Sequence, residues 1–152
     1  HAKDRRQRQM CIRDRNKWDL LNEEDKLNIN SNLKTQLKKF SWLNVIRISA
    51  LTTKGLNKFS KTLNEVNSQL NNRIDTSDLN LYFRELWVAK PPHPFRGKRA
   101  KLKYVTQYDI SPPSFSFNLS SRIPKNYYSF IENKLREEFG FKNVSLRIKY
   151  KT

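Results

Sequence analysis

Leu56, Phe59, Leu63, Val66 and Leu70 follow one another by steps of three, four, three and four. That spacing lays one apolar stripe along a helix. The stripe opens just after Gly55 and ends near the Asn71–Asn72 pair. Before it, residues 44–50 form a short, β-branched apolar run, the pattern of a strand buried on both faces. Earlier still, Leu33, Leu37 and Phe40 recur at helical spacing, with Leu27 and Ile29 leading in, so a helix is expected between Glu23 and Phe40. Helix, strand and helix in this order predict an α/β unit whose strand lies in a parallel sheet.

A second pattern starts at Thr76 or Ser77, either of which suits a helix N-cap, with Leu79, Phe83 and Leu86 on one face. Three prolines in "KPPHPFRGKRAK" end that helix in a basic loop. Leu102, Tyr104, Thr106 and Tyr108 then alternate as the apolar face of a strand, and Phe115, Phe117 and Leu119 as that of another. Ser111-Pro112-Pro113 between them reads as a kinked connection rather than a tight two-residue turn. Pro124 suits the first turn of a further helix. Tyr128, Ile131, Leu135 and Phe139 are its expected stripe and Gly140 its stop. Val144, Leu146, Ile148 and Tyr150 complete a last strand, whose other face carries Arg147, Lys149 and Lys151. The second module is thus α-β-β-α-β: a small antiparallel or mixed sheet covered by helices. The chain reads as residues 1–15, then an α/β part over 16–75, then an α+β part over 76–152.

Charge changes this picture most. The 152 residues carry a net charge of +17, a field that favours polyanions, nucleic acid before anionic membrane. Residues 76–152 hold fifteen Lys/Arg against six acids, so the second module is the stronger polyanion surface. No run of 18 apolar residues occurs, so no bilayer-spanning segment and no membrane partner are expected. The single cysteine, Cys11, excludes an internal disulfide and a cysteine-built zinc site, and His1 and His93 cannot form a metal cluster. A cytoplasmic, monomeric chain is the expectation. Residues 1–15 show no useful period, only the apolar cluster Met10, Cys11 and Ile12. They read as a sequence foreign to the fold, as a plain basic tail, or as an RNA-binding arm.

Asn16-Lys17-Trp18-Asp19 carries candidate chemistry. Guanine presents an N1–H and an N2 amino donor that one carboxylate accepts together, and adenine does not. Asp19 is the residue for that role. Asn16 would brace the loop and reach the base edge, and the Lys17 stem would lie over the ring. Ser49-Ala50-Leu51, at the end of the expected strand, offers a backbone N–H for guanine O6. About thirty residues separate the two stretches, with one helix and one strand between them. Together they match the last two base-reading motifs of a translation-factor-like GTPase domain.

"KLKYVTQ", "PPSF", "YYSFIENKLREEFGF" and the basic last strand resemble the C-terminal domain of the Der (EngA) family, bacterial GTPases with two tandem G domains. "NKWDLL", "ISAL", the "KG" after it and "RIDTSDLN" resemble the end of that family's second G domain. The resemblance runs from Asn16 to Lys151. It implies the remnant of a P-loop GTPase domain followed by a KH-like domain, in a factor that assembles the large ribosomal subunit. It implies guanine contacts at Asn16, Lys17, Asp19, Ser49 and Ala50, with GTP or GDP as ligand. It also implies that the chain is the C-terminal portion of a longer protein. The phosphate loop, the switches and the Mg²⁺ that accompanies them have no counterpart in these residues. No Gly-x-x-x-x-Gly-Lys-Ser/Thr occurs, so no GTP hydrolysis by this chain alone is expected. The strand that should deliver Asn16 would be apolar, whereas "QRQMCIRDR" stands there.

The KH clamp on RNA is a Gly-x-x-Gly loop, and Gly55, Gly97 and Gly140 nowhere have that spacing. The remaining RNA candidate is basic. Arg96, Lys98, Arg99, Lys101 and Lys103 put five cations in eight residues, and Arg147 and Lys149 extend the patch if their strands are neighbours. About five phosphate contacts would give a log–log salt slope near −3 to −4. Tyr104 and Phe117 at strand spacing read as core rather than as base-stacking groups. Glu137 and Glu138 are adjacent on a helix and diverge, and His93 has no placed partner, so neither suggests catalysis. The rival to a nucleotide-binding assembly factor is a free-standing basic RNA-binding module in which residues 16–19 are vestigial.

Overall fold

The computed structural model describes residues 13–38 and 42–152. Of the expected elements, Phe40 and the cluster Met10, Cys11 and Ile12 lie outside these residues. The elements are β1 (Arg13–Arg15), a 3₁₀ turn (Trp18–Leu20), α1 (Glu23–Gln36), β2 (Val45–Arg47), α2 (Leu56–Leu70), α3 (Thr76–Ala89), β3 (Leu102–Ile110), β4 (Pro113–Leu119), α4 (Lys125–Phe139) and β5 (Arg147–Lys151). They fall into two compact units, one through Ser68 that also takes in Lys142–Val144, the other Gln69–Phe141 with Ser145–Thr152.

In the first unit β1 runs parallel to β2, with Arg15 opposite Arg47. Residues 13–15 therefore form a strand of the fold, although residues 1–15 read as a segment apart from it. The hydrophobicity of their side chains does not announce it; backbone pairing does. Asn22 caps α1 by accepting from the Asp25 N–H at 2.7 Å, and Glu23, Glu24 and Asp25 follow in the first turn, where carboxylates offset the helix dipole. The helix stops at Gln36, short of the expected end. Only Leu33 of its stripe is buried, and Leu27 is exposed. α2 has its expected bounds, with Val66 at the centre of its buried face and Thr62 beside that stripe.

The second unit has the order α-β-β-α-β. Its sheet is mixed, β3-β4-β5, with β3 antiparallel and β5 parallel to β4. One face is an aromatic core. Phe115 and Phe117 are fully buried, and Phe117 meets Phe83 of α3 edge-on at 4.9 Å and stacks on Tyr150 at 5.6 Å. Such rings contribute beyond the area they bury. Ile131 and Leu135 bring α4 to the core. Arg136 joins them inside, its guanidinium donating to Glu132 Oε1 and, at 3.1 Å, to the Phe141 carbonyl. The helix ends as expected, at Gly140 with φ of 74°.

β3 is an edge strand whose outward amide groups need partners. Asn80 of α3 supplies both for Val105. Its Oδ1 accepts from the Val105 N–H at 2.9 Å, and its Nδ2 donates to the Val105 carbonyl at 2.8 Å. Gln107 does the same for the segment before α3, accepting from the Ile74 N–H and donating to the Asn72 carbonyl.

Further expectations change. In α4 Tyr127 rather than Tyr128 is buried, and Phe139 is half-buried. The N-cap of α3 is Asp75, and Thr76 is already helical. The β3–β4 connection is a tight two-residue turn, Ile110 pairing with Pro113, with the Ser111–Pro112 peptide cis as in a type VI turn. β5 starts at Arg147, so the buried Val144 precedes it. In β3 the two faces are exchanged over much of the strand. Register shifts between Leu102 and Tyr104 and between Gln107 and Asp109 break simple alternation. Val105 and Gln107 face the core, while Tyr104 and Tyr108 are nearly half exposed, at 49% and 46%.

Candidate functional site

Parallel strands in register bring their C-terminal ends to one edge, where ligands of α/β sheets bind. Asn16 follows β1 there, and Ile48, Ser49 and Ala50 follow β2. Asn16 Oδ1 accepts two backbone N–H groups, from Lys17 at 2.7 Å and from Ala50 at 3.1 Å. The Trp18 N–H donates to the Ile48 carbonyl at 3.2 Å. One amide side chain thus ties together two stretches that are 34 positions apart. Lys17 takes a left-handed conformation, φ 61°, and Asp19 follows in the 3₁₀ turn with its side chain exposed. The Arg47 guanidinium lies 5.1 Å over the Trp18 ring.

Ser49 is buried and committed to its own loop. Its Oγ accepts from the Thr52 N–H at 3.1 Å, and its N–H donates to the Lys54 carbonyl at 2.9 Å. Gly55 closes the loop at φ +82°, where a Cβ would stand 2.3 Å from the Arg47 carbonyl oxygen. Only glycine fits there. The structure therefore places Asn16, Lys17, Asp19, Ser49 and Ala50 together, with Ser49 as a brace for the loop. Asp19 offers an exposed carboxylate there, and the Ala50 N–H has its acceptor in Asn16. Among the described residues no three His, Cys, Asp or Glu side chains could hold a metal ion.

The basic candidates divide. Phe95 and Lys98 exchange backbone hydrogen bonds of 3.0 and 3.2 Å around Arg96 and Gly97, both with positive φ, a type I′ turn that projects Arg96. Arg99, Lys101 and Lys103 are exposed, and Lys101 prolongs the β3–β4 ladder through Ser120. Arg147 and Lys149 lie on β5. Because β4 stands between β3 and β5, the two strands are not neighbours, and the expected continuous patch is split. β4, the middle strand, is also the most buried of the three.

What the sheet does assemble is an open face. Across its three strands Tyr104 is in register with Asn118 and Lys151, and Thr106 with Ser116 and Lys149. These groups and Tyr108 line a concavity of about 310 Å³, and the Lys149 ammonium stands 4.8 Å from the centre of the Tyr108 ring. A second concavity of about 470 Å³ lies between the type I′ turn and Arg122. Tyr104 is thus a surface group rather than the core residue its spacing suggests, whereas Phe117 is core. Tyr108, Ser116, Asn118 and Arg122 were not among the expected site residues. The alternation Ser114-Phe115-Ser116-Phe117-Asn118 in β4 is the signal that could have marked this face as polar.

A helix-covered mixed sheet of order α-β-β-α-β defines the second unit as a KH-like module. Residues 73–151 match the family described as "KH-domain-like of EngA bacterial GTPase enzymes, C-terminal", and the chain belongs to that family. It is also similar to proteins named GTPase Der. The protein of Chlorobium limicola is 34% identical over 139 residues, covering 89% of this chain and 32% of the relative. That of Salinispora arenicola is 33% identical over 134 residues, 88% of this chain and 28% of the relative. That of Mycolicibacterium vanbaalenii is 32% identical over 133 residues, again 88% and 28%. The chain thus spans about a third of the length of the curated relatives it matches. No helix among the described residues is long and apolar enough to cross a membrane.

Proposed function

We propose that this chain contributes guanine recognition and RNA contact to a GTP-dependent factor of large ribosomal subunit assembly, working as a monomer in the cytoplasm. The observation that carries the nucleotide half is the Asn16 bridge, which holds Ala50 beside the Lys17–Asp19 loop. In this reading Asp19 accepts the two guanine donors, Lys17 covers the base, and the Ala50 N–H is shared between Asn16 Oδ1 and guanine O6. Phosphates, Mg²⁺ and hydrolysis belong to parts of a G domain outside the residues matched here. The basic second unit supplies contacts to rRNA phosphates, through Arg96, Lys98, Arg99, Lys101 and Lys103 on one side and Arg147 and Lys149 on the other.

Thermal unfolding with GDP and with ADP tests the nucleotide half. Protection by GDP and not by ADP is expected. Equal protection by both would mean only attraction of phosphates to a chain of net charge +17 and would overturn guanine recognition. One observation favours a second reading, an RNA-binding module with a vestigial nucleotide loop: the Ala50 N–H already has an acceptor in Asn16. No shift with either nucleotide, together with retained RNA binding, would select it.

A further inference from the structure

We propose that the open face of the β3-β4-β5 sheet is a platform for single-stranded RNA, with bases stacked on Tyr104 and Tyr108 and the backbone held by Lys149 and Lys151. The inference rests on the RNA-contact reading above and names the surface that performs it.

Three observations point to this occupant. The first is the pair of tyrosines. A fold that buries Phe115 and Phe117 completely leaves two rings nearly half exposed on the opposite face of the same sheet. Exposed aromatic rings beside cations are what single-stranded bases stack on, and a paired duplex does not offer those faces. Tyr104 and Tyr108 are four residues apart, about 13 Å along a strand, so they take two different bases.

The second is charge placed in register. Lys151 ends the row of Tyr104 and Asn118, and Lys149 the row of Thr106 and Ser116. Rows two residues apart repeat about every 7 Å. Each row thus offers an aromatic or hydroxyl group at one end and an ammonium at the other, as a chain of alternating bases and phosphates requires. Asp109, the one acid in the three strands, turns its carboxylate to the Ile110 N–H at 2.8 Å.

The third is an orphaned polar group. Ser116 is 5% exposed, lines the concavity, and its Oγ has no hydrogen-bond partner among the described residues. A buried hydroxyl without a partner is uncommon. A ribose 2′-hydroxyl or a base edge lying between the tyrosines would satisfy it. The second concavity continues the path. Ser120 lies two residues beyond Asn118 and Thr152 directly after Lys151, and both line the groove that leads to Arg96 and Arg122.

The test is the affinity of the full chain for a fluorescein-labelled oligouridylate of about ten nucleotides, within the site sizes of such surfaces. Tyr104→Ala and Tyr108→Ala should each weaken binding about 10-fold. Tyr104→Phe and Tyr108→Phe keep the ring and should stay within about twofold of the parent chain. Lys149→Ala should flatten the log–log salt slope by about 0.7. These side chains are on the surface, and unchanged melting of each variant confirms that the fold persists. If the parent binds and the alanine variants bind equally well, the platform is wrong and phosphates are held elsewhere. Duplex RNA bound as tightly as the single strand also overturns it. If the parent itself does not bind, the RNA-contact reading falls with it.

Discussion

The two units hold their candidate sites in opposite ways. In the first, the site is backbone. Asn16 accepts from two main-chain amides, Ser49 closes its loop through two more hydrogen bonds, and Gly55 is there because nothing larger fits. In the second, the site is a set of side chains on one face of a sheet, and a packed core on the other face fixes that sheet. The buried apolar residues follow the same division. Leu33, Ile46, Ile48 and Val66 serve the first unit, whereas Phe83, Phe115, Phe117, Ile131, Leu135 and Phe141 are part of a larger set in the second. A site built from main-chain hydrogen bonds is sensitive to loop geometry. A site built on a sheet face depends on the core behind it and tolerates change at its surface.

The comparison can be broken from either side. The largest effect is expected from Phe117→Ala, which empties the ring position between Phe83 and Tyr150. It should lower the stability of the second unit by about 3–5 kcal/mol. Chemical denaturation followed by the near-ultraviolet signal of the aromatic core would show it, and a loss below about 1 kcal/mol would contradict the assigned core.

Gly55→Ala comes next. Its Cβ would meet the Arg47 carbonyl oxygen at 2.3 Å in a left-handed conformation, so the loop from Ser49 must shift. A local destabilisation of about 2 kcal/mol is expected. Amide exchange should quicken at Ser49, Ala50 and Thr52 while Val105 and Phe117 keep their protection. Equal quickening in both units would show that they do not respond separately.

The smallest effect is in pH. Burial pushes the Tyr127 hydroxyl up to about 12 from its ordinary value of 10.0, and that hydroxyl donates to the Lys90 carbonyl at 2.5 Å. The folded state therefore holds this proton more tightly than the unfolded chain. Its stabilisation is fully present below about pH 10 and is lost as pH rises toward 12. Tyr127→Phe should flatten the stability profile in that window and leave a constant loss below it that shrinks as pH rises toward 12. A profile between pH 9 and 12 that the substitution does not change would refute the assignment.

Much of the fold was legible because its elements obey simple periods. α2 follows its three-four spacing, α4 stops at Gly140, and β4 alternates as written. The order α-β-β-α-β follows from those patterns. The exchanged faces of β3 were not legible. Its sequence offers Tyr104 and Tyr108 on one side and Val105 and Gln107 on the other, and both readings place apolar groups inward. The register shifts around Lys103 and Tyr108, together with the amide pairing of Asn80 to Val105, decide between them. β1 was hidden for a related reason. A three-residue strand identified by its pairing to β2 leaves no hydrophobic period to read.

The sequence by itself determined the basic character of the chain, the family to which it belongs, and the residue types that meet at the ends of β1 and β2. Those depend on composition and on local order, which the chain carries directly. Only the tertiary structure decided that Asn16 Oδ1 reaches the Ala50 amide, that β4 separates the cations of β3 from those of β5, and that Tyr104 and Tyr108 face outward. Each of these depends on strand register, which is fixed by partners distant in sequence, and a shift of one residue turns every side chain to the other face.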